Sequence, residues 1–183
     1  MAVDIAQLSE REQVEVLEAA LDLIIKPETW VKGQWKCPVY ETKDEKNEFT
    51  TFKSITSRPV KDKQGNPLYA YCLEGAINQA VLDLYGYERA TALGAYDEQL
   101  ANEEGDDMGI AVENGTTPTD QISLNELVMQ KYANSPMVRN KIAQGETRFA
   151  AMLWQDAPET THEQVIELVR KKLTQLRRRI GRA

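Results

Sequence analysis

Two long amphipathic helices, one near each end of the chain, limit most strongly how this sequence can fold. A capping box opens each of them, because a serine or threonine stands three positions before a glutamate or glutamine: Ser9 before Glu12, and Thr161 before Gln164. Apolar residues then recur at helical spacing, namely Val14, Leu17, Leu21, Ile24 and Ile25 near the start, and Ile166, Val169, Leu173, Leu176 and Ile180 near the end. An apolar face of this kind has to be buried, so we expect the two helices to share one interior.

The first half of the chain also predicts a small β element and further helix. Residues 48–55 are rich in β-formers and 68–71 follow a turn at 61–67, so the two runs are expected to pair as a hairpin. A helix is expected over residues 72–86, where a terminal glycine suits a helix cap, and another over 87 to about 102. This half therefore predicts a hairpin inserted between helices.

The second half of the chain is read as loop followed by shorter helices. Residues 105–121 are expected to form a flexible acidic loop, because Gly, Thr, Pro, Asn and Asp dominate there. A capping box over 123–126 and the Ser135-Pro136 pair each predict a helix start. Residues 1–183 are thus expected to form a single domain of the mainly α class, α+β at the margin: a single-core helical domain with a small inserted β-hairpin.

The composition fits a globular chain and sets the expected compartment. With 183 residues, 42% hydrophobic and 28% charged, the chain is long enough to bury a core without disulfides or metal. The longest apolar runs, such as 21–25, are far too short to span a membrane. The first residues lack the basic start and apolar stretch of a secretory signal. We therefore expect a cytoplasmic protein without a membrane partner.

The cysteines predict neither a disulfide framework nor a conventional metal site. Cys37 and Cys72 are the two cysteines, and His162 is the one histidine. A zinc site of the usual kind lacks ligands here, and a mixed site of Cys37, Cys72 and His162 is the remaining alternative. The acidic run at 103–107 lacks the alternating pattern of a calcium-binding loop. We expect two reduced thiols, with no metal and no cofactor.

Charge is distributed very unevenly along the chain. Residues 90–130 contain no Lys or Arg but nine acids: Asp97, Glu98, Glu103, Glu104, Asp106, Asp107, Glu113, Asp120 and Glu126. Residues 170–183, the expected basic helix end or tail, contain seven bases and no acid: Arg170, Lys171, Lys172, Arg177, Arg178, Arg179 and Arg182. The first 169 residues therefore carry 15 of the 22 bases against all 29 acids, a net charge of −14.

Three interpretations of the basic tail remain open. The tail binds an acidic partner or nucleic acid, or it neutralises the acids of 90–130 in its own chain, or it makes that contact between two protomers of a homo-oligomer. Self-neutralisation is slightly favoured because the acids are present in the same chain. Nucleic-acid binding is possible but not favoured, because the tail has no aromatic residues for base stacking and the acidic body is repulsive.

One constellation suggests catalysis. Cys72 stands at a predicted helix start, where the helix dipole favours a thiolate; His162 can serve as a base, and Asp156 can orient the histidine. This is the logic of a cysteine-dependent hydrolase or acyltransferase. The structural alternative is a buried Cys72 in close helix packing, an exposed His162 in a first helical turn, and an Asp156 that closes a turn. The structural alternative is favoured, so an enzyme is the less expected outcome.

Three short motifs resemble an uncharacterised family of actinobacterial and actinophage proteins classed as a domain of unknown function. They are Trp30-Val31-Lys32-Gly33, Cys72-Leu73-Glu74-Gly75-Ala76-Ile77 and Trp154-Gln155-Asp156-Ala157-Pro158, the last preceding a helix that starts at Thr161. Gln155 replaces the usual asparagine, and residues 87–150 are longer and more acidic than is typical of the family. Trp30 and Trp154 lie at element boundaries, where an indole fills the core while its N–H reaches a carbonyl.

The resemblance implies an actinobacterial or phage origin but no activity. Combined with the opposed charge segments, the sequence predicts a protein-interaction or regulatory accessory protein that binds a cellular protein. The alternatives are the cysteine-dependent enzyme using Cys72, His162 and Asp156, and nucleic-acid binding through the basic tail.

Overall fold

The structure is a computed structural model that describes residues 7–45, 54–95, 116–145 and 150–182. It confirms a mainly helical fold with a small antiparallel β element. The helices are α1 (Glu10–Ile24), α2 (Leu73–Ala92), α3 (Pro118–Gln121), α4 (Leu124–Lys131), α5 (Pro136–Ala143), α6 (Ala150–Asp156) and α7 (His162–Ile180), with a 3-10 turn at Pro27–Thr29. The strands are β1 (Lys36–Pro38), β2 (Tyr40–Glu45), β3 (Ser54–Pro59) and β4 (Tyr69–Tyr71).

Both predicted terminal capping boxes are present. At the start of α1, the Ser9 hydroxyl accepts from the backbone N–H of Glu12, whose carboxylate accepts from the Ser9 N–H at 2.9 Å. At the start of α7, the Thr161 hydroxyl accepts from the N–H of Gln164, whose side chain accepts from the Thr161 N–H at 2.8 Å. Each box satisfies two backbone donors that a helix start leaves without an intrahelical partner, which fixes where the two helices begin.

The two terminal helices meet in one core, as their apolar faces predict. α1 packs against both α2 and α7. Residues from all three helices belong to one buried hydrophobic cluster, which includes Val16, Leu17, Ala20, Ile24, Leu73, Ala76, Ile77, Val165, Leu168, Val169, Leu173 and Leu176. Of the predicted α1 stripe, Ile25 is instead exposed, because the helix ends at Ile24. Most of the length of α7 is thus part of the interior on one side.

The β element pairs differently from the prediction. β2 pairs with β3 and β1 pairs with β4, in two separate antiparallel two-stranded sheets. The predicted partner of 68–71 was wrong, since Tyr69–Tyr71 pairs with Lys36–Pro38; most of 48–55 lies outside the described residues. Short strands without strict alternation carry little register information, so the pairing is decided by the chain connections.

Helix boundaries in the middle of the chain also differ from the prediction. Gly86 does interrupt the helix, with φ of 74°, but as a kink within α2. The continuation ends at Ala92 instead of near residue 102, and 96–115 lie outside the described residues. Gly94, at φ of 79°, lies just after this end, in the left-handed region that glycine adopts readily.

The expected loop over 105–121 was wrong at its end, where Pro118–Gln121 is α3. Thr117 and Asp120 form the capping box that opens it, with a proline at the first helical position. The box predicted over 123–126 was also wrong, because Ser123 has a left-handed φ of 56° and its side chain caps nothing. Ser123 links α3 to α4, and such a tight connection needs the left-handed conformation.

In the described ranges no helix combines the length and apolarity needed to cross a membrane.

Candidate functional site

The three sequence motifs meet in space at one place, which we call the motif junction: residues 30–35, 71–77 and 154–158. The backbone N–H of Gly33 donates to Asp156 Oδ1 at 2.9 Å, and Lys32 Nζ donates to the carbonyl of Ala157 at 2.6 Å. The N–H of Val31 donates to the carbonyl of Tyr71 at 3.1 Å. Segments far apart in sequence are therefore joined by direct hydrogen bonds.

At the junction, Cys72 and Gln155 cap the start of α2. Cys72 is the N-cap, and its Sγ accepts from the N–H of Gly75 at 3.2 Å. Gln155, which is fully buried, accepts from the N–H of Leu73 through Oε1 at 2.8 Å. Its Nε2 donates to Asp156 Oδ1 at 2.9 Å. Because the first amides of a helix lack intrahelical acceptors, these contacts satisfy donors that burial would otherwise leave unpaired.

Gly75 is required by close backbone packing. A Cβ atom at this position would lie 1.9 Å from the carbonyl oxygen of Trp35. The same carbonyl accepts from the N–H of Cys72 at 3.3 Å, so the chain at Trp35 is tied against the first turn of α2. The glycine in the Cys-x-x-Gly-Ala motif therefore serves helix packing, as the structural alternative for Cys72 expected.

Cys72 has the surroundings of a structural thiol. It is 2% exposed, and burial raises its pKa to about 11, with the charges of Glu74 and Asp156 adding to the increase. The hydrogen bond from Gly75 acts in the opposite direction but does not outweigh burial. A reactive cysteine needs a thiolate near neutral pH, and this environment disfavours one despite the helix start.

His162 and Asp156 also have partners other than Cys72. His162 Nε2 lies 2.7 Å from the carbonyl oxygen of Ile24, and because a carbonyl only accepts, this nitrogen carries the hydrogen. The His162 ring packs 5.6 Å from the Trp30 ring, so the expected exposed position was wrong and the side chain is half-buried. Within the described residues, no hydrogen bond links His162 to Cys72 or Asp156.

The alternative metal site does not assemble in the described part of the chain. There, no group of three or more His, Cys, Asp or Glu side chains is placed to hold a metal ion. Cys37 lies in β1, half-buried, and burial raises the pKa of its thiol.

The two motif tryptophans behave differently. Trp154 is 2% exposed and stacks on Tyr132 with ring centroids 4.3 Å apart, which is the expected core anchoring. Trp30 packs against the core, but its indole Nε1 is buried and has no acceptor within the described residues. The expectation that its N–H reaches a carbonyl was therefore wrong.

The motif junction contains one group that the sequence did not single out. Glu74, in the first turn of α2, is 8% exposed. Burial raises its pKa to about 7, and the charges of Asp120 and Asp156 add to the increase. An acid in a first helical turn is typical of exposed helix starts, so the sequence carries no signal that this one is buried.

The basic end of the chain is helical and fixed to the body. Lys172, Leu173 and Leu176 are buried, whereas the six arginine and lysine residues around them are exposed: Arg170, Lys171, Arg177, Arg178, Arg179 and Arg182. Burial lowers the pKa of Lys172, the charge of Arg179 lowers it further, and Glu126 and Glu10 oppose this. Residues 170–182 therefore belong to a packed helix and its end, and the six exposed bases lie on the outer side.

Within the described residues, the ion pairs of the basic end are made with acids of α1 and not with the predicted acids of 90–130. Arg177 pairs with Glu18, and Arg179 Nη1 lies 3.7 Å from Glu10 Oε1, so both acids come from α1 and not from 90–130. Of the acids predicted as partners, Asp97 to Glu113 lie outside the described residues. α1 and α7 pack side by side, which brings their flanking charges into contact. The prediction missed these acids because a contact between helices so far apart in the chain is not visible in the sequence.

Comparison with known proteins gives one result. A family model described as a family of unknown function (DUF6197) matches residues 9–172. No curated protein and no solved structure matches the chain. The matched residues include the whole motif junction and end at Lys172, before Arg177.

Proposed function

The chain belongs to DUF6197, a family of unknown function, and we propose that it is a protein-binding accessory protein without catalytic activity of its own. Its binding surface is the basic face, which we define as the outward side of α7 formed by Arg170, Lys171, Thr174, Arg177 and Arg178. The partner is an acidic segment of another protein. The observation that supports this is a row of exposed positive charge on a helix whose opposite side is buried.

Helix geometry gathers these residues on one side. Positions 170, 171, 174, 177 and 178 fall within one exposed stripe, because side chains three, four and seven positions apart share a helix face. Val169, Leu173 and Leu176 occupy the opposite side and are buried. The backbone of the basic face is therefore held rigid by the core before a partner arrives, which lowers the entropic cost of binding.

Much of the positive charge on this face remains available. Arg177 pairs with Glu18, but Arg170, Lys171 and Arg178 form no ion pair with any described residue. Positive charge near a helix C-terminus is partly explained by the helix dipole, which favours cations there. Bases two and three turns from the end, such as Arg170 and Lys171, lie beyond the reach of that effect, so they support a binding role.

An acidic protein segment suits this face better than nucleic acid. The face carries no aromatic side chain on which a base can stack. The carboxylates of Glu10 and Glu18 lie along its edge, and the first 169 residues carry 15 bases against 29 acids, a net charge of −14. A long phosphate backbone would run into this negative surface, whereas a short acidic segment can stay on the basic face.

The test is binding of a fluorescein-labelled glutamate-rich peptide, followed by anisotropy at increasing salt. We expect wild-type affinity to fall as salt rises, and the triple variant Arg170→Glu/Lys171→Glu/Arg178→Glu to bind at least about tenfold more weakly. The matched control is Lys61→Glu/Lys63→Glu, which reverses exposed charges in the turn before β4 and should bind like wild type.

The proposal fails if wild type does not bind the peptide at low salt, or if the triple variant binds equally well. If duplex DNA of matched charge binds tighter than the peptide and loses affinity in the triple variant, the nucleic-acid interpretation replaces it. We also propose a cytoplasmic location and an actinobacterial or phage origin, both of which are predictions from the sequence.

A further inference from the structure

Glu74 is a buried acid without a hydrogen-bonding partner in the part of the chain that the structure describes. It lies in the first turn of α2 and is 8% exposed. Its neighbours in the motif, Cys72, Leu73 and Gly75, are hydrogen-bonded to Gln155 or to each other, whereas no hydrogen bond contributes to the pKa of Glu74. Burying a carboxylate without donors is costly, whereas burying a neutral carboxylic acid costs far less.

The charges of two other carboxyl groups raise the pKa of Glu74, and both groups accept hydrogen bonds from described donors. Asp120, on α3, accepts from the Thr117 N–H and hydroxyl and from Asn125 Nδ2, the last at 2.7 Å. Asp156, on α6, accepts from the N–H of Gly33 and from Gln155 Nε2, both at 2.9 Å. The charges of Asp120 and Asp156 add to the effect of burial and raise the pKa of Glu74 further.

We propose that Glu74 is a proton-operated switch of the motif junction. With its carboxyl protonated, the first turn of α2 packs closely against α3 and α6. When the proton leaves as pH rises, a third negative charge is buried beside Asp120 and Asp156, and the attachment of α2 to these two helices weakens. The three segments that carry the motifs thereby hold together less firmly in alkaline than in mildly acidic conditions.

The charges around Glu74 support this direction. Burial is the largest effect raising the Glu74 pKa to about 7, followed by the charges of Asp120 and Asp156. α1 and β4 also pack against α2, but no titratable group of theirs within the described residues contributes to the shift. The start of α2 favours an anion through its dipole, and this effect is smaller than that of burial.

The direction in which stability changes with pH follows from the pKa of Glu74 in the folded protein and in the unfolded chain. In the unfolded chain a glutamate titrates near 4.5, so between about 4.5 and about 7 the folded protein retains a proton that the unfolded chain has lost. Unfolding therefore becomes more favourable as pH rises through this window and levels off above it. Glu12, Glu163 and Glu167 have lowered pKa values, so their contributions change on the acid side of 4.5, outside this window.

The test is urea unfolding of the full chain from about pH 5 to about pH 8. We expect the unfolding equilibrium constant of wild type, divided by that of Glu74→Gln, to rise on the order of 100-fold across this range. The matched control is Glu88→Gln, an exposed acid on the same helix, which should follow wild type. A Glu74→Gln variant with the same pH dependence as wild type would overturn the proposal.

A second measurement needs no folded variant. In wild type with ¹³C-labelled glutamate carboxyl groups, one carboxyl group, that of Glu74, should titrate near neutral pH. The amides of Gly33 and Leu73, which donate to Asp156 and Gln155, should lose protection from hydrogen exchange over the same pH range, after correction for the intrinsic rate. If every glutamate carboxyl titrates below about pH 6, or if those amides keep their protection, the switch does not exist.

Discussion

The motif junction and the basic face of α7 use polar groups in opposite ways. In the junction, the buried side chain of Gln155 and the half-buried side chain of Asp156 make their hydrogen bonds within the chain itself. On the basic face, Arg170, Lys171 and Arg178 point into solvent with no ion pair to a described residue. The family match contains the junction together with Arg170 and Lys171, whereas Arg177 to Arg182 lie beyond its end at Lys172.

This difference shows that the motifs that suggest an active site in the sequence are not the residues whose side chains remain free to bind a partner. The motifs look like a candidate active site because they contain a cysteine, an acid and a nearby histidine. In the structure Cys72 caps a helix, Asp156 joins two segments and His162 bonds to Ile24. Residues that suggest catalysis in the sequence thus serve packing in the structure, and the proposed binding surface lies elsewhere.

The largest effect is expected for Gly75→Ala, which tests whether the junction is a packing device. The new Cβ would lie 1.9 Å from the Trp35 carbonyl oxygen, a backbone atom that cannot move aside without separating the segment from α2. We expect a loss of about 4 kcal/mol or more in the free energy of unfolding, measured by urea titration. Gly181→Ala is the control, since its Cβ meets nothing closer than 3.4 Å. A mild effect of Gly75→Ala would mean that the two segments do not pack closely.

Leu176→Ala tests whether the basic end is a packed helix or a detachable arm. Leu176 is 1% exposed, so its truncation leaves a cavity among α1 and α7. The expected loss is about 3 kcal/mol in the free energy of unfolding. Leu84→Ala, at a leucine that is 44% exposed, should cost much less. Equal and small losses for both variants would show that the end of α7 stands free of the core.

Gln155→Met measures the contribution of one junction hydrogen bond. Methionine fills a similar volume but cannot accept from the buried N–H of Leu73 or donate to Asp156. We expect the free energy of unfolding to fall by about 2 kcal/mol, because an unpaired buried donor remains. Gln144→Met, at an exposed position, is the control and should leave stability nearly unchanged. If Gln155→Met is as stable as wild type, the junction does not depend on this cap.

His162→Ala has the smallest expected effect and addresses the enzymatic alternative. It removes the hydrogen bond to Ile24, at a cost of about 1 kcal/mol. Alkylation of native Cys72 should be slow in wild type, because the thiol is buried with a pKa of about 11, and it should stay equal or become faster in the variant. Mass spectrometry after timed labelling gives the rate, with Cys37 as the internal reference. Fast wild-type labelling that the variant slows would restore Cys72 as a nucleophile.

The sequence predicted those features that depend on local chemistry. Ser9 with Glu12 and Thr161 with Gln164 cap helices through neighbours three positions away, so the pattern alone suffices. Glycine at position 86 predicted an interruption that the structure has. The fold class follows from these elements, because two long amphipathic helices have to bury their apolar faces.

Features that depend on distant contacts could not be predicted. The pairing of β1 with β4, the ion pair of Arg177 with Glu18 and the burial of Glu74 all arise from packing between segments far apart in the chain. The capping box of Thr117 and Asp120 was present in the sequence and was missed, because its glycine-rich and threonine-rich surroundings are typical of loops.

The most direct test of the central claim compares two variants for binding of the glutamate-rich peptide. One is Arg170→Glu/Lys171→Glu/Arg178→Glu on the basic face, and the other is Gln155→Met in the motif junction, each measured where circular dichroism shows it folded. We predict that the first loses peptide affinity with nearly unchanged stability, whereas the second keeps wild-type affinity with reduced stability. Retained affinity in the charge-reversed variant together with lost affinity in Gln155→Met would place the binding site at the motif junction and contradict the account.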